Sequence, residues 1–588
     1  MNLTNFLKQT DAITAQYSAE QLVSFIHDIG RVLPEQGRED FLERLKAAGR
    51  KTEKASAKDG EGELSFEETY QLVRNNLKRI DSQEVTIDSI LNEEYDDWYG
   101  ESSEEFYYED NSGISDMLAE ACDFVHTCMD MERYKEGLEI GNQLSLMEIL
   151  SVSEYGDEEL SLEDMVHYEL LYCDLTKVIL DIAYCAYHAA PLKKRPEALY
   201  GVMVNFRRDG ITLEAIMQHG AEELPDFQEF LTLWIAYLGE KKERDADCLI
   251  REAVGLLDDS SVAAKYAEKY VAVHPGLYLN LLENETCTDA NEMILMGMKA
   301  VKLMPKKYIM RSKVALRTAE YIIETNEDQS LLETCYFAAY ESDTSAVNYL
   351  RVLLNGERTE KKKEELQEVL MKFPAQKSGS SYDMFGNESS SEREENKPGS
   401  NMIFLLRFLD GQFADVLEKG LNTSAALGWS GTFMKQGIAL YLLYLYEGQR
   451  TGKGINAMAD IVKGAMRFSA EEYGKGTKRD GANDGDLFCE VFSAWKSAVQ
   501  MEMDVRTLAM KKITGLLEKR TEGIMSANRR NYYGECAAYI AALGEVQESL
   551  GEMGAKQRLM TSYKDKYSRR SAFRGEMKNY GWVDIKKK

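Results

Sequence analysis

Apolar residues along this chain recur mainly at spacings of three and four, the period of one face of an α-helix. The stretch from Asp116 to Leu144 shows this most clearly. Leu118, Ala121, Phe124, Val125 and Cys128 share one face, a polar turn follows at Asp130 to Arg133, and Tyr134, Gly137, Leu138 and Ile140 begin a second face. The pattern predicts two amphipathic helices joined by a tight turn. Glycine inside a helix lowers its stability, so Gly137 predicts a close helix–helix approach. A lone hairpin of this kind cannot bury its apolar face and needs neighbours.

Similar stretches recur. Phe408 to Leu417 and Leu550 to Ala555 repeat the plan of helix end, short polar turn and second helix. Asn291 to Pro305 carries the small residues Gly297 and Ala300 and ends on proline. A capping box at Ser18 and Gln21, with Pro34 at a helix start, predicts a small helical unit near the N-terminus. Further helices are predicted over Phe66–Ile80, over a long apolar run from Glu163 to Ala190, and over Phe227–Leu238, Asp247–Leu257, Val262–Val273 and Ala290 to about Leu354. Pro275 and Pro305 fall where helices end. No set of paired strands is predicted.

These turns resemble the tetratricopeptide (TPR) pattern, in which small residues lie where paired helices touch and proline closes the second helix. The resemblance implies an all-α fold, an α-solenoid of antiparallel helical hairpins. We read two arrays joined by a disordered linker. The boundaries are a helical unit at 1–50, a charged linker at 51–63, a helix and connector at 64–92 and an acidic–aromatic segment at 93–113. An N-terminal array at 114–375, the serine-rich linker at 376–400 and a C-terminal array at 401–588 complete the chain. Gly474 to Gly485 reads as a long loop, and YDMF at 382–385 as a short docking motif inside the linker.

Charge changes this picture in two places. The chain of 588 residues carries a formal net charge of −29, which argues against general binding to nucleic acid or anionic membranes. From Val505 onward, however, 18 Lys and Arg stand against 9 Asp and Glu, so the tail is basic. The acidic–aromatic segment has neither helical nor strand period and reads as a solvated connector whose aromatics pack on the adjacent hairpin. The alternative is a docking segment in which Trp98, Tyr99, Tyr107 and Tyr108 anchor a protein or peptide partner of basic character. The tail offers Arg529, Arg530, Arg569, Arg570 and Arg574 to nucleic acid, against the preferred reading that it complements the chain's own acidic array. Asn528 to Met577 is similar to the helical C-terminal region of bacterial SWIM-zinc-finger proteins. No two cysteines here are separated by one residue, so that family's zinc finger is absent.

Candidate chemistry is sparse. Cys122 and His126 are four apart, and Cys185 and His188 three apart, so two neighbouring helices would supply a Cys2His2 zinc site from these four. The competing reading places the cysteines in the core. Gly448 to Gly454 imitates a phosphate-binding loop but is one residue short between its glycines, and glycine stands where Ser or Thr is needed. No nucleophile motif and no cofactor-binding motif is present. Nine cysteines without a CxxC pair, no signal peptide and no 20-residue apolar run predict a cytoplasmic protein off the membrane. The functional expectation is a non-enzymatic scaffold for a protein or peptide partner. The alternatives are an adaptor in nucleic-acid transactions through the basic tail, or an enzyme of unknown type on a helical frame.

Overall fold

The computed structural model of the chain describes residues 64–95, 102–153, 156–206, 211–220, 223–257, 259–284, 289–325, 328–357, 359–374, 391–422, 425–449, 452–477 and 483–584. The expected N-terminal unit and charged linker, the YDMF stretch, Trp98 and Tyr99 lie outside these residues. The described chain is predominantly helical, with one small four-stranded sheet. Among the described residues no helix is long and apolar enough to cross a membrane.

Local sequence decides where helices begin. Ser65 and Glu68 form a capping box that starts helix Phe66–Asp81, and Ser161 with Asp164 starts Leu162–His167. Asp174, Thr212, Asp289, Ser345 and Ser469 each accept a first-turn N–H on a side-chain oxygen. Asp174 explains one departure from expectation. The single helix predicted from Glu163 to Ala190 is two, Leu162–His167 and Leu175–Ala189, parted by a turn in which Glu169 has φ 59°.

The chain divides into two compact units. The first comprises Met1–Lys241 with Cys248–Ala253. Its helices Ile114–Asp130 and Tyr134–Ser145 form the hairpin read from the sequence, turning through Glu132 at φ 57°. Tyr134–Ser145 also packs on Leu175–Ala189. The approach is close: a Cβ on Gly137 would sit 2.8 Å from the Cys185 sulfur, and one on Gly141 2.6 Å from Ile182 Cγ2. The sheet belongs to this unit and corrects the expectation of no paired strands. Strands β1 (Ile87–Tyr95), β2 (Ser102–Glu109), β3 (Ile149–Val152) and β4 (Glu158–Leu160) lie in the order β2-β1-β3-β4. β1 and β2 pair antiparallel from Asp88–Glu109 to Tyr95–Ser102, so residues 93–95 and 102–109 of the supposed aperiodic connector are paired strands. Among the described side chains of the sheet, Ile87, Ile149, Ser151 and Leu160 are buried. β3 and β4, four and three residues long, are too short for a period of two to register in the sequence.

The second unit comprises Lys242–Asp247 with Val254–Lys588. It includes both sides of the 376–400 stretch, so the expected boundary between two arrays does not coincide with the observed one. Tyr336 donates to Gly476 C=O at 2.6 Å, the buried Arg351 donates to Glu472 C=O at 2.6 Å, and helix Ala346–Leu354 packs on Ser400–Leu409. Consecutive helices pack in pairs, as in Ala290–Leu303 with Ile309–Thr325 and then Gln329–Ser342. Packing also skips along the chain: Lys453–Met466 lies on Tyr533–Ser549, past three intervening helices. The C-terminal core gathers Ile524, Tyr533, Ile540, Met560, Phe573 and Trp582.

Candidate functional site

Residues 391–399, Ser-Glu-Arg-Glu-Glu-Asn-Lys-Pro-Gly, carry no large apolar side chain, and composition placed them in the linker. The structure corrects this. A short 3-10 turn at Ser391–Arg393 leads into an extended strap that pairs with the turn before helix Ile309–Thr325. Ile309 N–H donates to Glu394 C=O at 2.9 Å, and Asn396 N–H donates to Lys307 C=O at 2.8 Å. Tyr308 and Glu395 thereby form an isolated β-bridge. Pro398 lacks an N–H and ends the pairing ahead of helix Ser400–Leu409.

Three side chains of the strap insert into the unit. Glu392 is buried, and its Oε2 accepts the Gly276 N–H at 2.9 Å, at the start of helix Gly276–Glu283. The site suits a carboxylate because Gly276 has no Cβ, which would lie 2.3 Å from Glu392 Oε1. Arg393 donates to Asp247 Oδ1 at 2.9 Å and to the carbonyls of Val273 and Lys242. Asn396 donates from Nδ2 to Thr344 Oγ1 at 2.8 Å and to Glu341 C=O at 3.2 Å, while its Oδ1 accepts the Thr344 N–H at 3.1 Å. Nearer the surface, Lys307 and Lys397 flank Glu395 at 2.6 and 3.0 Å and hold its carboxyl down to about 2.

A cavity of about 1100 Å³ opens beside the strap. The strap forms one wall, and Tyr308, Asp343, Ser345, Met402, Arg467 and Glu472 form much of the rest. Burial pushes the Asp343 carboxyl up to about 6, and Glu472 adds to the rise against the opposing guanidiniums of Arg351 and Arg467. A second cavity, of about 640 Å³, lies in the first unit between Phe66–Asp81 and Tyr134–Ser145. Arg74, Asn75, Lys78, Glu139, Asn142 and Gln143 line it.

Among the described residues, Asp247, His274 and Glu392 are the only three His, Cys, Asp or Glu side chains with ligating atoms all within 4.8 Å of one another. His274 Nδ1 lies 2.6 Å from Asp247 Oδ1, the oxygen that also takes Arg393, and Gly276 N–H occupies Glu392 Oε2. These are hydrogen-bond separations with donors on the carboxylate oxygens. Arg393 supplies the positive charge that a cation would bring. The cluster is therefore a buried charge lock around the strap.

The residues singled out from the sequence are dispersed. Cys122 neighbours the Cys173 thiol, Cys185 sits under Gly137, and His188 lies 4.6 Å from the Tyr134 ring and 4.4 Å from that of Tyr184. His126 turns to Asp181, with Nδ1 3.1 Å from Oδ2. The four candidate ligands thus do not come together as a Cys2His2 set, and Cys122 and Cys185 are buried in the core. Asp181, itself buried, also meets His219 Nε2 at 2.5 Å and ties three helices together. The Tyr108 ring packs tilted against Tyr168 at 4.4 Å between centroids and its hydroxyl donates to Glu158 at 3.2 Å, and burial raises its phenol well above the ordinary range. Tyr107 is exposed.

In the basic tail, Arg570 donates to Asn528 Oδ1 at 2.5 Å and to Met525 C=O at 2.7 Å. Arg574 donates to Ser568 C=O at 3.2 Å, while Arg529, Arg530 and Arg569 are exposed. The helix start that ends the phosphate-loop imitation is capped by the chain's own carboxylate. Gly454 and Ile455 donate to the Glu545 carboxylate at 3.1 and 2.8 Å, and Lys556 meets that carboxylate at 2.6 Å.

Sequence reasoning missed Asp247, His274, Gly276, Glu392 and Arg393. They come from positions as much as 146 residues apart. The one local signal was Pro275-Gly276 at a predicted helix boundary. Neither a protein-family model nor a curated protein matches the chain.

Proposed function

We propose that the chain is a non-enzymatic scaffold, in finer terms a TPR-like array of helical hairpins, that binds an extended segment of a protein partner. The observation carrying this reading is the strap itself: helices of the second unit hold an extended peptide by main-chain pairing and side-chain sockets, beside an open cavity. The clusters with acid–base character lack a reaction geometry. Asp181 and its two histidines bridge helices, and the Asp247 cluster is closed by the strap's own arginine. The nucleic-acid reading is weaker because Arg570 and Arg574 are engaged within the chain.

The test is affinity purification of tagged protein from its native cells at moderate salt, with and without nuclease. A protein partner retained in stoichiometric amount after nuclease supports the scaffold. Partners lost with nuclease would overturn it and direct attention to Arg529, Arg530 and Arg569.

A further inference from the structure

We infer that the groove holding Glu392 to Asn396 is a recognition site for a partner protein's extended segment, and that the chain's own strap stands in that site. The segment would present a carboxylate, an adjacent guanidinium and, three residues beyond the guanidinium, an Asn side chain. This rests on the scaffold reading and gives its partner a chemistry.

The groove is built around those three groups. The Gly276 N–H and the missing Cβ at Gly276 make a socket for a carboxylate at a helix start, where the backbone dipoles favour negative charge. Asp247 with the carbonyls of Lys242 and Val273 makes a socket for a guanidinium, satisfying both of its terminal nitrogens. Thr344 N–H and Oγ1 with Glu341 C=O read both ends of a carboxamide. Lys307 C=O and Ile309 N–H pair with whatever main chain lies between, a contact indifferent to sequence. The sockets come from elements spread over residues 242–344, so they belong to the helical body and not to the strap.

The strap is suited to exchange. From Ser391 to Lys397 it has no apolar side chain, so it adds nothing to the hydrophobic burial that dominates folding. Buried ion pairs favour correct register and partner choice more than net stability. Leaving the groove therefore exposes polar groups that water or an incoming segment of the same chemistry satisfies. The cavity of about 1100 Å³ alongside gives a longer incoming segment room to continue past Asn396.

The experiment is fluorescence anisotropy with a labelled synthetic peptide, SEREENKPGS, titrated with the full chain. A released chain carries Glu392→Ala, Arg393→Ala and Asn396→Ala. We expect saturable binding to the released chain, at least tenfold weaker binding to the unsubstituted chain, and at least tenfold loss when Asp247→Asn or Gly276→Ala is added to the released chain. No saturable binding to a released chain with unchanged helical circular dichroism would overturn the inference. So would binding that ignores Asp247→Asn, or a released chain that fails to fold, because the strap would then be part of the core.

Hydrogen exchange on the unsubstituted chain gives an independent reading. The amides of Ile309 and Asn396 should exchange at least a hundredfold faster than those in the middle of helix Ile309–Thr325, and equal protection overturns the inference. Concentration-dependent dimers that exchange the strap would assign the groove to a second copy and overturn the partner assignment. A cellular partner retained by the released chain bearing Asp247→Asn would leave the scaffold standing while this site falls.

Discussion

Two helices of the second unit carry a glycine in their first turn and receive a carboxylate from far along the chain, and the two arrangements differ in what holds the carboxylate. At Lys453–Met466 the carboxylate is Glu545, carried by helix Tyr533–Ser549, where the run Cys536 to Val546 is buried throughout. Lys556 neutralises it, and Gly454 presses on main chain: a Cβ there would lie 2.3 Å from Ala542 N. At Gly276–Glu283 the carboxylate is Glu392, carried by a strap of polar residues, and the three atoms nearest to the missing Cβ at Gly276 all belong to the end of that side chain. The same local chemistry serves as a permanent joint in one place and as a socket in the other. What distinguishes them is the apolar burial behind the carboxylate.

The comparison breaks most visibly at the permanent joint. Gly454→Val would force a side chain into helix backbone that has no room to yield, and we expect a loss of about 3 kcal/mol or more in the unfolding free energy of the second unit. Urea denaturation followed by circular dichroism measures it. A loss below about 1 kcal/mol would mean the two helices separate easily, and the joint would be no firmer than the strap.

A smaller effect of opposite sign is expected at Asp343, in the cavity beside the strap. Glu545 has Lys556 at hand, whereas Asp343 is half-buried with Asn348 as its hydrogen-bond donor, Glu472 working against it, and Arg351 and Arg467 compensating in part. Its carboxyl rises from an ordinary 3.8 to about 6. Between those values the folded chain keeps a proton that the unfolded chain has released, so stability falls as pH rises through the window and levels off above it. Asp343→Asn should therefore stabilise the chain by about 1–3 kcal/mol at neutral pH, since a tenfold change in proton affinity is worth roughly 1.4 kcal/mol. The gain should shrink to nothing towards pH 4. Paired denaturation curves across that range test it, and a gain that persists at low pH would show that packing, not charge, is responsible.

Much of the helical frame could be read from spacing and caps, because those signals are local. The hairpin at Ile114–Ser145 and the tight contact at Gly137 follow from a few neighbouring residues. The sheet could not be read, since β3 and β4 are only four and three residues long and leave little alternation to detect. The strap could not be read for a different reason. Ser-Glu-Arg-Glu-Glu-Asn has the composition of a solvated linker, and its order comes from Gly276, Asp247, Lys307 and Thr344, which local pattern does not connect to it. The Gly448–Gly454 run, rejected from its spacing as a phosphate loop, has a different reason for its last glycine. Glycine at that helix start is explained by the Glu545 carboxylate and the backbone at Ala542, with no phosphate required.

The smallest expected effect decides the comparison most sharply. Gly276→Ala in the unsubstituted chain places a methyl against the Glu392 carboxylate, at the first position of a helix where φ is ordinary and alanine is the better helix former. Global stability should move by less than about 1 kcal/mol, because the strap contributes no apolar burial and the helix itself is slightly favoured. Strap release should nevertheless rise, read as at least tenfold faster exchange of the Asn396 and Ile309 amides, with the interior of Gln329–Ser342 unchanged. If Gly276→Ala instead costs as much as Gly454→Val, the two glycines are equivalent joints. Glu392 would then be as fixed as Glu545, and the strap would be a wall of the fold.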